Sequence, residues 1–284
     1  MNILMSYKSP HGEVLDFANN PDFIIQDITG LTLAEVELSL ASVATMDGDI
    51  INNRRIMARQ MVFDLYILPG RDVEAVKREI LKAIKPKETG TIYYTHSGRD
   101  LFITATVERI EMARFTDSAI MQITFHCAGA VWLDAILSSQ RIGLVAGMHH
   151  FPLAIDNSAT PPVIVFGYFD QLKTQQIIND GDAAVGMVIT IGNTGNTNAV
   201  NPKIESADGK YFKLNLTVEP NDAVIIDTRR GSKSVYYNGV SDIAAVAAGS
   251  TWLQLELGEN TFTVSDDNDA PGLYMDFAYR RAFV

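Results

Sequence analysis

Apolar and polar residues alternate with a period of two in several stretches of the first half. Met61, Phe63, Leu65 and Ile67 alternate with Val62, Asp64, Tyr66 and Leu68, and Met121, Ile123, Phe125 and Cys127 alternate with Gln122, Thr124 and His126. Successive strand side chains point to opposite faces, so each first set shares one face and both stretches predict strands with one side buried. Thr91 to Thr95 and Leu101 to Val107 predict two more, joined by the turn Ser97-Gly98-Arg99-Asp100. Between them the period changes. After Gly70-Arg71-Asp72, the residues Val73, Val76, Ile80, Leu81 and Ile84 recur at intervals of three and four, which lays an apolar stripe along a helix of about four turns. Asp72 is its expected N-cap, and Lys85-Pro86-Lys87 its end, because the residue before a proline is pushed out of helical geometry. The first half is therefore expected to be α+β, a β-sheet with one helix packed on it.

The pattern lapses between Gly143 and His150, which places the expected boundary between domains 1–146 and 147–284. A new strand-like run begins at Phe151. Strands are expected over 163–169, 187–192, 211–218, 223–227, 234–237, 251–257, 261–265 and 273–279. Asn193-Thr194-Gly195-Asn196, Asp208-Gly209, Asn238-Gly239 and Gly258-Glu259-Asn260 supply turns between them. That many short strands at such spacing suggest an all-β sandwich of the jelly-roll kind.

At 284 residues, with 47% hydrophobic and 20% charged, the chain has room and apolar content for two cores. No apolar run approaches the roughly 20 residues that cross a bilayer, and the first ten residues carry no secretory pattern, so synthesis in a cytoplasm is expected. The single cysteine, Cys127, ends an alternating run and is read as a small buried hydrophobe. A formal net charge of −11 argues against a general nucleic-acid binder. Neither half is basic: 14 Lys and Arg stand against 18 Asp and Glu up to residue 145, and 9 against 16 after it.

Phosphate-cradling, dinucleotide, zinc-protease and nucleophile-elbow motifs are all missing, and the expectation is a protein that is not an enzyme, with no cofactor and no metal site. His149-His150 would point to opposite faces of a strand and reads as a linker pair. Ser265-Asp266-Asp267-Asn268-Asp269 gathers carboxylates in one loop but lacks an EF-hand's central glycine and terminal glutamate. Trp132, Trp252, Tyr236, Tyr237 and Tyr274 are either core or a sugar-stacking platform, with Trp252, Tyr236 and Tyr237 the candidate glycan contacts. The segment from Met46 to Arg59 is the most informative. It combines Asp47, Asp49, Arg54, Arg55 and Arg59 with several apolar residues, more than a plain hairpin loop carries. Chemistry alone leaves two readings open: a solvated loop, or an arm that pairs these five charged residues with a neighbouring copy.

The order of Gly30-Leu31, the Leu38 to Val43 strand, Asp47-Gly48-Asp49 with Arg54-Arg55, Met61 to Leu68, the helix from Asp72, and Ala119 to Cys127 leading into Val131-Trp132-Leu133 resembles the N-terminal domain of the distal tail proteins of long-tailed phages. The second half resembles the jelly-roll, galectin-like and carbohydrate-module-like domain of that phage tail (Dit) family, through Val163-Ile164-Val165-Phe166-Gly167, Asn215 to Thr228, and Phe262 to Tyr279. The resemblance implies a virion structural protein at the tail tip or baseplate of a siphovirus-like particle. It implies a homo-hexameric ring that joins the tail tube protein to a tail-associated lysin or tail-tip protein and to receptor-binding or baseplate proteins. DNA would pass through the lumen without specific binding. A carbohydrate-binding adhesin contacting a host cell-wall glycan is the alternative it leaves.

Overall fold

The computed structural model describes residues 4–42, 47–96, 98–114, 119–143 and 173–284, and the backbone at 145–147, 155–156, 163–164 and 169–171. It is mostly β-strand, with one α-helix among the described residues. The chain divides into two units: Met1–Ile136 with Ala282–Val284, and Leu137–Arg281. This division comes earlier than the point expected after residue 146. Ser138–Ile142 is a strand of the second unit, paired with Leu273–Tyr279, while Ala282–Phe283 pairs with Trp132–Leu133 of the first. Both facts depend on partners more than 130 residues away, which periodicity does not reveal.

In the first unit the strands are β1 (Leu4–Lys8), β2 (Val14–Asp16), β3 (Phe23–Thr29), β4 (Val36–Ser42), β5 (Asp49–Ile56), β6 (Arg59–Ile67), β7 (Thr89–His96), β8 (Arg99–Arg114), β9 (Ala119–Cys127) and β10 (Trp132–Asp134), with helix α1 at Val73–Ala83. One sheet runs in the order β2-β1-β7-β8-β9-β6-β3, and β10 joins it on β8. The two period-two runs lie side by side in it, Met61 facing Phe125 and Leu65 facing Met121. Their alternate residues, all but excluded from solvent, build the core with Tyr7, Phe17, Phe23 and Ile92. Tyr7 stacks on Phe125 at 5.4 Å and Phe17 on Phe63 at 4.9 Å. Cys127 is buried there as expected.

Helix α1 starts where its cap chemistry dictates: the Asp72 carboxylate accepts from the backbone N–H of Glu74 at 3.0 Å and of Ala75 at 3.3 Å. It buries Val76, Ile80, Ala83 and the following Ile84 against the sheet. Leu81, expected in that stripe, is 40% exposed. It sits one residue, about 100°, round the helix from Ile80 and so points away from the sheet.

In the second unit a six-stranded sheet has the order Ser138–Ile142, Leu273–Tyr279, Met187–Asn193, Ala223–Asp227, Ser234–Tyr237, Val240–Ser241. A four-stranded sheet has the order Thr174–Asn179, Gly258–Ser265, Lys203–Ser206, Tyr211–Lys213. Phe262 of the second stacks on Phe277 of the first at 5.4 Å, so their buried faces meet in one core. Two expected strands differ. Residues 211–218 break into Tyr211–Lys213 and Thr217–Val218, which pair with different partners, and residues 251–257 form a single bridge, Val185 to Leu255. Of the strand expected over 163–169, Val163–Ile164 and Phe169 are strand, and its middle lies outside the described residues, as do Ser97, Phe151 and His149-His150.

Candidate functional site

β4 and β5 pair only with each other among the described strands, as a hairpin standing off the main sheet. The register is Val36 to Ile56, Glu37 to Arg55, Leu38 to Arg54 and Ser39 to Asn53; it then shifts so that Leu40 meets Ile51 and Ala41 meets Ile50. The shift leaves Asn52 as an extra residue, a β-bulge. Its effect on patterning is decisive. Without it Leu40 would sit opposite Asn52; with it, Val36, Leu38, Leu40, Ile51 and Ile56 share one face with Arg54. The other face carries Glu37, Ser39, Asn53 and Arg55, with Ala41 opposite an exposed Ile50 nearer the tip. All five aliphatic residues are exposed, Leu38 to 47% and Leu40 to 52%. This is a hairpin with an exposed aliphatic face.

Of the five charged residues expected at an interface, the structure separates one from the rest. Asp47, Asp49, Arg54 and Arg55 are exposed on the hairpin, and none forms an ion pair among the described residues. Arg59, at the hairpin root, is 1% exposed. Its Nη1 faces the carbonyls of Gly30 at 2.9 Å, Leu31 at 2.8 Å and Thr32, while Nε and Nη2 donate to the Ala130 carbonyl at 3.2 and 3.0 Å. The guanidinium lies 5.8 Å from the Trp132 ring centroid, and the Trp132 indole N–H shares the Leu31 carbonyl at 3.2 Å. Arg59 therefore clamps two loops of its own chain and takes no part in an exposed charge set. Burial pulls its pKa below the ordinary guanidinium range. The thiol of Cys127, paired with Arg59 across β9, is pushed up to about 11 by burial, Arg59 acting the other way.

Gly30 completes the root. Its φ is +77°, and a Cβ there would lie 1.9 Å from the Gln60 carbonyl oxygen, so no other residue fits without moving backbone. The sequence signal for this root was present in Gly30 and Arg59, but nothing in it tells an inward arginine from an outward one.

The solvent side of the main sheet carries a second charged feature. Asp27, Asp64, Gln122 and Glu111 are consecutive cross-strand neighbours over β3, β6, β9 and β8, and with Gln26, Ala113 and Ile120 they line a shallow depression. Carboxylates placed directly opposite repel. The Gln122 amide donates to Asp64 at 2.9 Å, and Arg109 lies 3.3 Å from Glu111.

The remaining candidates do not converge. Trp132 belongs to the first unit's core. Trp252 tilts against Phe212 with ring centroids 5.0 Å apart. The Tyr237 hydroxyl donates to Asp222, and Tyr236 lies exposed beside Ile225. Tyr274 lies over Gly192 and under Arg141, whose fork binds Asp276 with two contacts of 2.6 Å. In the acidic loop, Asp267 meets Lys213 and Asn201, Asp269 meets Lys173, and Asp266 accepts from the backbone of Asn268 and Ala270. Its carboxylates serve cations and amides of the chain itself. No cluster of metal-ligating side chains occurs among the described residues.

Comparison with known proteins bears on both units. Residues 180–283 match the family model of the siphovirus-type tail component, C-terminal domain. No curated protein sequence matches the chain significantly. Among solved structures, the Dit protein of phage SPP1, described as a paradigm of the hub adsorption apparatus in phages infecting Gram-positive bacteria, superposes with a TM-score of 0.72 over 99% of each chain at 13% identity. A chain of the phage P2 baseplate, in its activated conformation with Ca, gives 0.53 over 99% of this chain and 98% of that one at 12% identity. By sequence, residues 180–283 are thus similar to the C-terminal domain of siphovirus-type tail components, and the chain as a whole has the fold of the Dit protein of phage SPP1.

Proposed function

We propose that this protein is the structural hub of a phage-type tail tip, located in the virion tail, in which six first units close a ring and the second units, read as jelly-roll or galectin-like sandwiches, face outward. The observation that carries this reading is the hairpin. Five half-exposed aliphatic side chains on one face of an isolated two-stranded arm are a poor end state for a monomer, since such a hairpin is marginal alone. Burying their remaining surface against a neighbour would contribute about 4–7 kcal/mol per contact before ordering costs. An arm on one surface that meets a different surface of the next copy makes a head-to-tail contact, and such contacts give a ring where the rotation between copies closes. Asp47, Asp49, Arg54 and Arg55 would set its register.

The acidic row Asp27, Asp64 and Glu111 fits the same role. A carboxylate-lined face keeps phosphates from binding, which suits a passage for DNA. The ring would join the tail tube protein above to tail-tip, lysin, baseplate or receptor-binding proteins below and around it. The test is the mass of the purified full chain by light scattering: six times 31.2 kDa is expected. A chain that stays at 31.2 kDa at every concentration would refute the ring.

A further inference from the structure

We propose that the hairpin of one copy lies across helix α1 of the next, with its acidic tip on the basic outer side of that helix; this rests on the ring reading above. The chain carries a net charge of −11, yet Arg71 to Lys87 holds six cations against three carboxylates. The outer stripe of α1 begins with Glu74 and runs through Lys77, Arg78, Leu81 and Lys82 to Lys85, a net positive stripe opposite the buried Val76, Ile80, Ala83 and Ile84. Two of these cations have loose, exposed partners: Lys77 is 3.8 Å from Glu74 and Lys82 is 3.9 Å from Glu13. Arg78 and Lys85 have no ion pair among the described residues. Leu81 sits exposed in the middle. The alkyl stems of lysine and arginine extend apolar surface around it while their charges stay wet, so the helix presents an apolar ridge rimmed with positive charge.

The hairpin presents the complement. Its aliphatic face matches the ridge; Arg54, the one cation on that face, sits toward the root beside Leu38, and between Ser39 and Asn53 the charged residues are Asp47 and Asp49, both negative. Strands of seven and eight residues span about 24–27 Å, and a helix of eleven residues about 16 Å, so the arm can cover the helix from end to end. Leu40 and Ile51 would rest on Leu81, while Asp47 and Asp49 reach Arg78 and Lys82. The acidic row of the main sheet is a poor alternative seat, because Asp27, Asp64 and Glu111 would repel the same tip.

Charge exchange in the full chain tests this. Asp47→Lys with Asp49→Lys, and separately Arg78→Glu with Lys82→Glu, are each expected to raise the concentration at which rings form by about ten-fold or more. All four changes together are expected to restore it to within about three-fold of the wild type. Sedimentation velocity reads the assembly, far-UV circular dichroism confirms that each variant is folded, and Asp47→Asn with Asp49→Asn serves as the milder form. Rings indifferent to both reversals, or weakened by each and not restored by the combination, would overturn the docking while leaving the ring reading intact. A wild-type chain that never assembles overturns both.

Discussion

Replacing Arg59 by methionine should destabilise the first unit by about 3–5 kcal/mol, a large share of the roughly 5–15 kcal/mol that holds a typical domain folded. The guanidinium is 1% exposed and serves the carbonyls of Gly30, Leu31, Thr32 and Ala130. Methionine fills much of the same volume but donates nothing, so buried acceptors lose their partners at about 1–3 kcal/mol each. Removing the desolvation cost of a buried cation recovers part of that loss. The Leu31 carbonyl keeps the Trp132 indole, which lowers the loss further. Arg59→Lys should fall between, because one ammonium is a point donor and does not span both loops. The assay exploits the placement of the two tryptophans, one in each unit. In a Trp252→Phe background, Trp132 fluorescence reports the first unit alone, which avoids forcing a two-unit chain into one transition. With a urea slope of about 2 kcal/mol/M, the midpoint should fall by about 1.5–2.5 M. A shift under about 0.3 M would show that the clamp contributes nothing net and that the root is held by other contacts.

Other outcomes follow from single contacts. Gly272→Ala should destabilise the second unit by about 2–3 kcal/mol, since the new Cβ would lie 1.9 Å from the backbone nitrogen of Gly195; Trp252 fluorescence on heating reads it, and an unchanged midpoint would contradict the close approach. Cys127, buried and with its thiol pushed up to about 11, should resist a disulfide reagent at pH 8 until urea opens the first unit; rapid labelling of the folded chain would refute its burial. Burial pushes the Asp227 carboxyl up, but hydrogen bonds from the Arg229 side chain and backbone outweigh it and leave the carboxyl below its ordinary value. A folded pKa below the unfolded one means that its contribution is complete above about pH 4 and is lost as pH falls through the folded value. Asp227→Asn should therefore lower second-unit stability at neutral pH yet flatten its loss below about pH 4, and parallel acid profiles for variant and wild type would count against the pairing.

Much of the fold was legible along the chain, and the reason is local. The runs Met61 to Ile67 and Met121 to Cys127 declare their buried faces by a period of two, and α1 declares its start through the Asp72 carboxylate, because these properties depend on residues within a turn or two of one another. The charged segment from Met46 to Arg59 was recognisable as unusual for the same reason. Its meaning was not. Arg54 and Arg55 point to solvent while Arg59 turns into a cage of carbonyls drawn from residues 30–32 and 130, and only the return of those loops makes the distinction. One extra residue, Asn52, decides which aliphatic side chains share a face. The limits of the first unit were decided the same way: Ala282–Phe283 rejoins Trp132–Leu133 across a whole intervening unit. The sequence by itself determined most of the segments that become strands, the helix, and most of the residues that seek the core. Pairing partners, the direction of each arginine and the free face of the hairpin arose only when distant segments competed for the same hydrogen bonds and the same dry space.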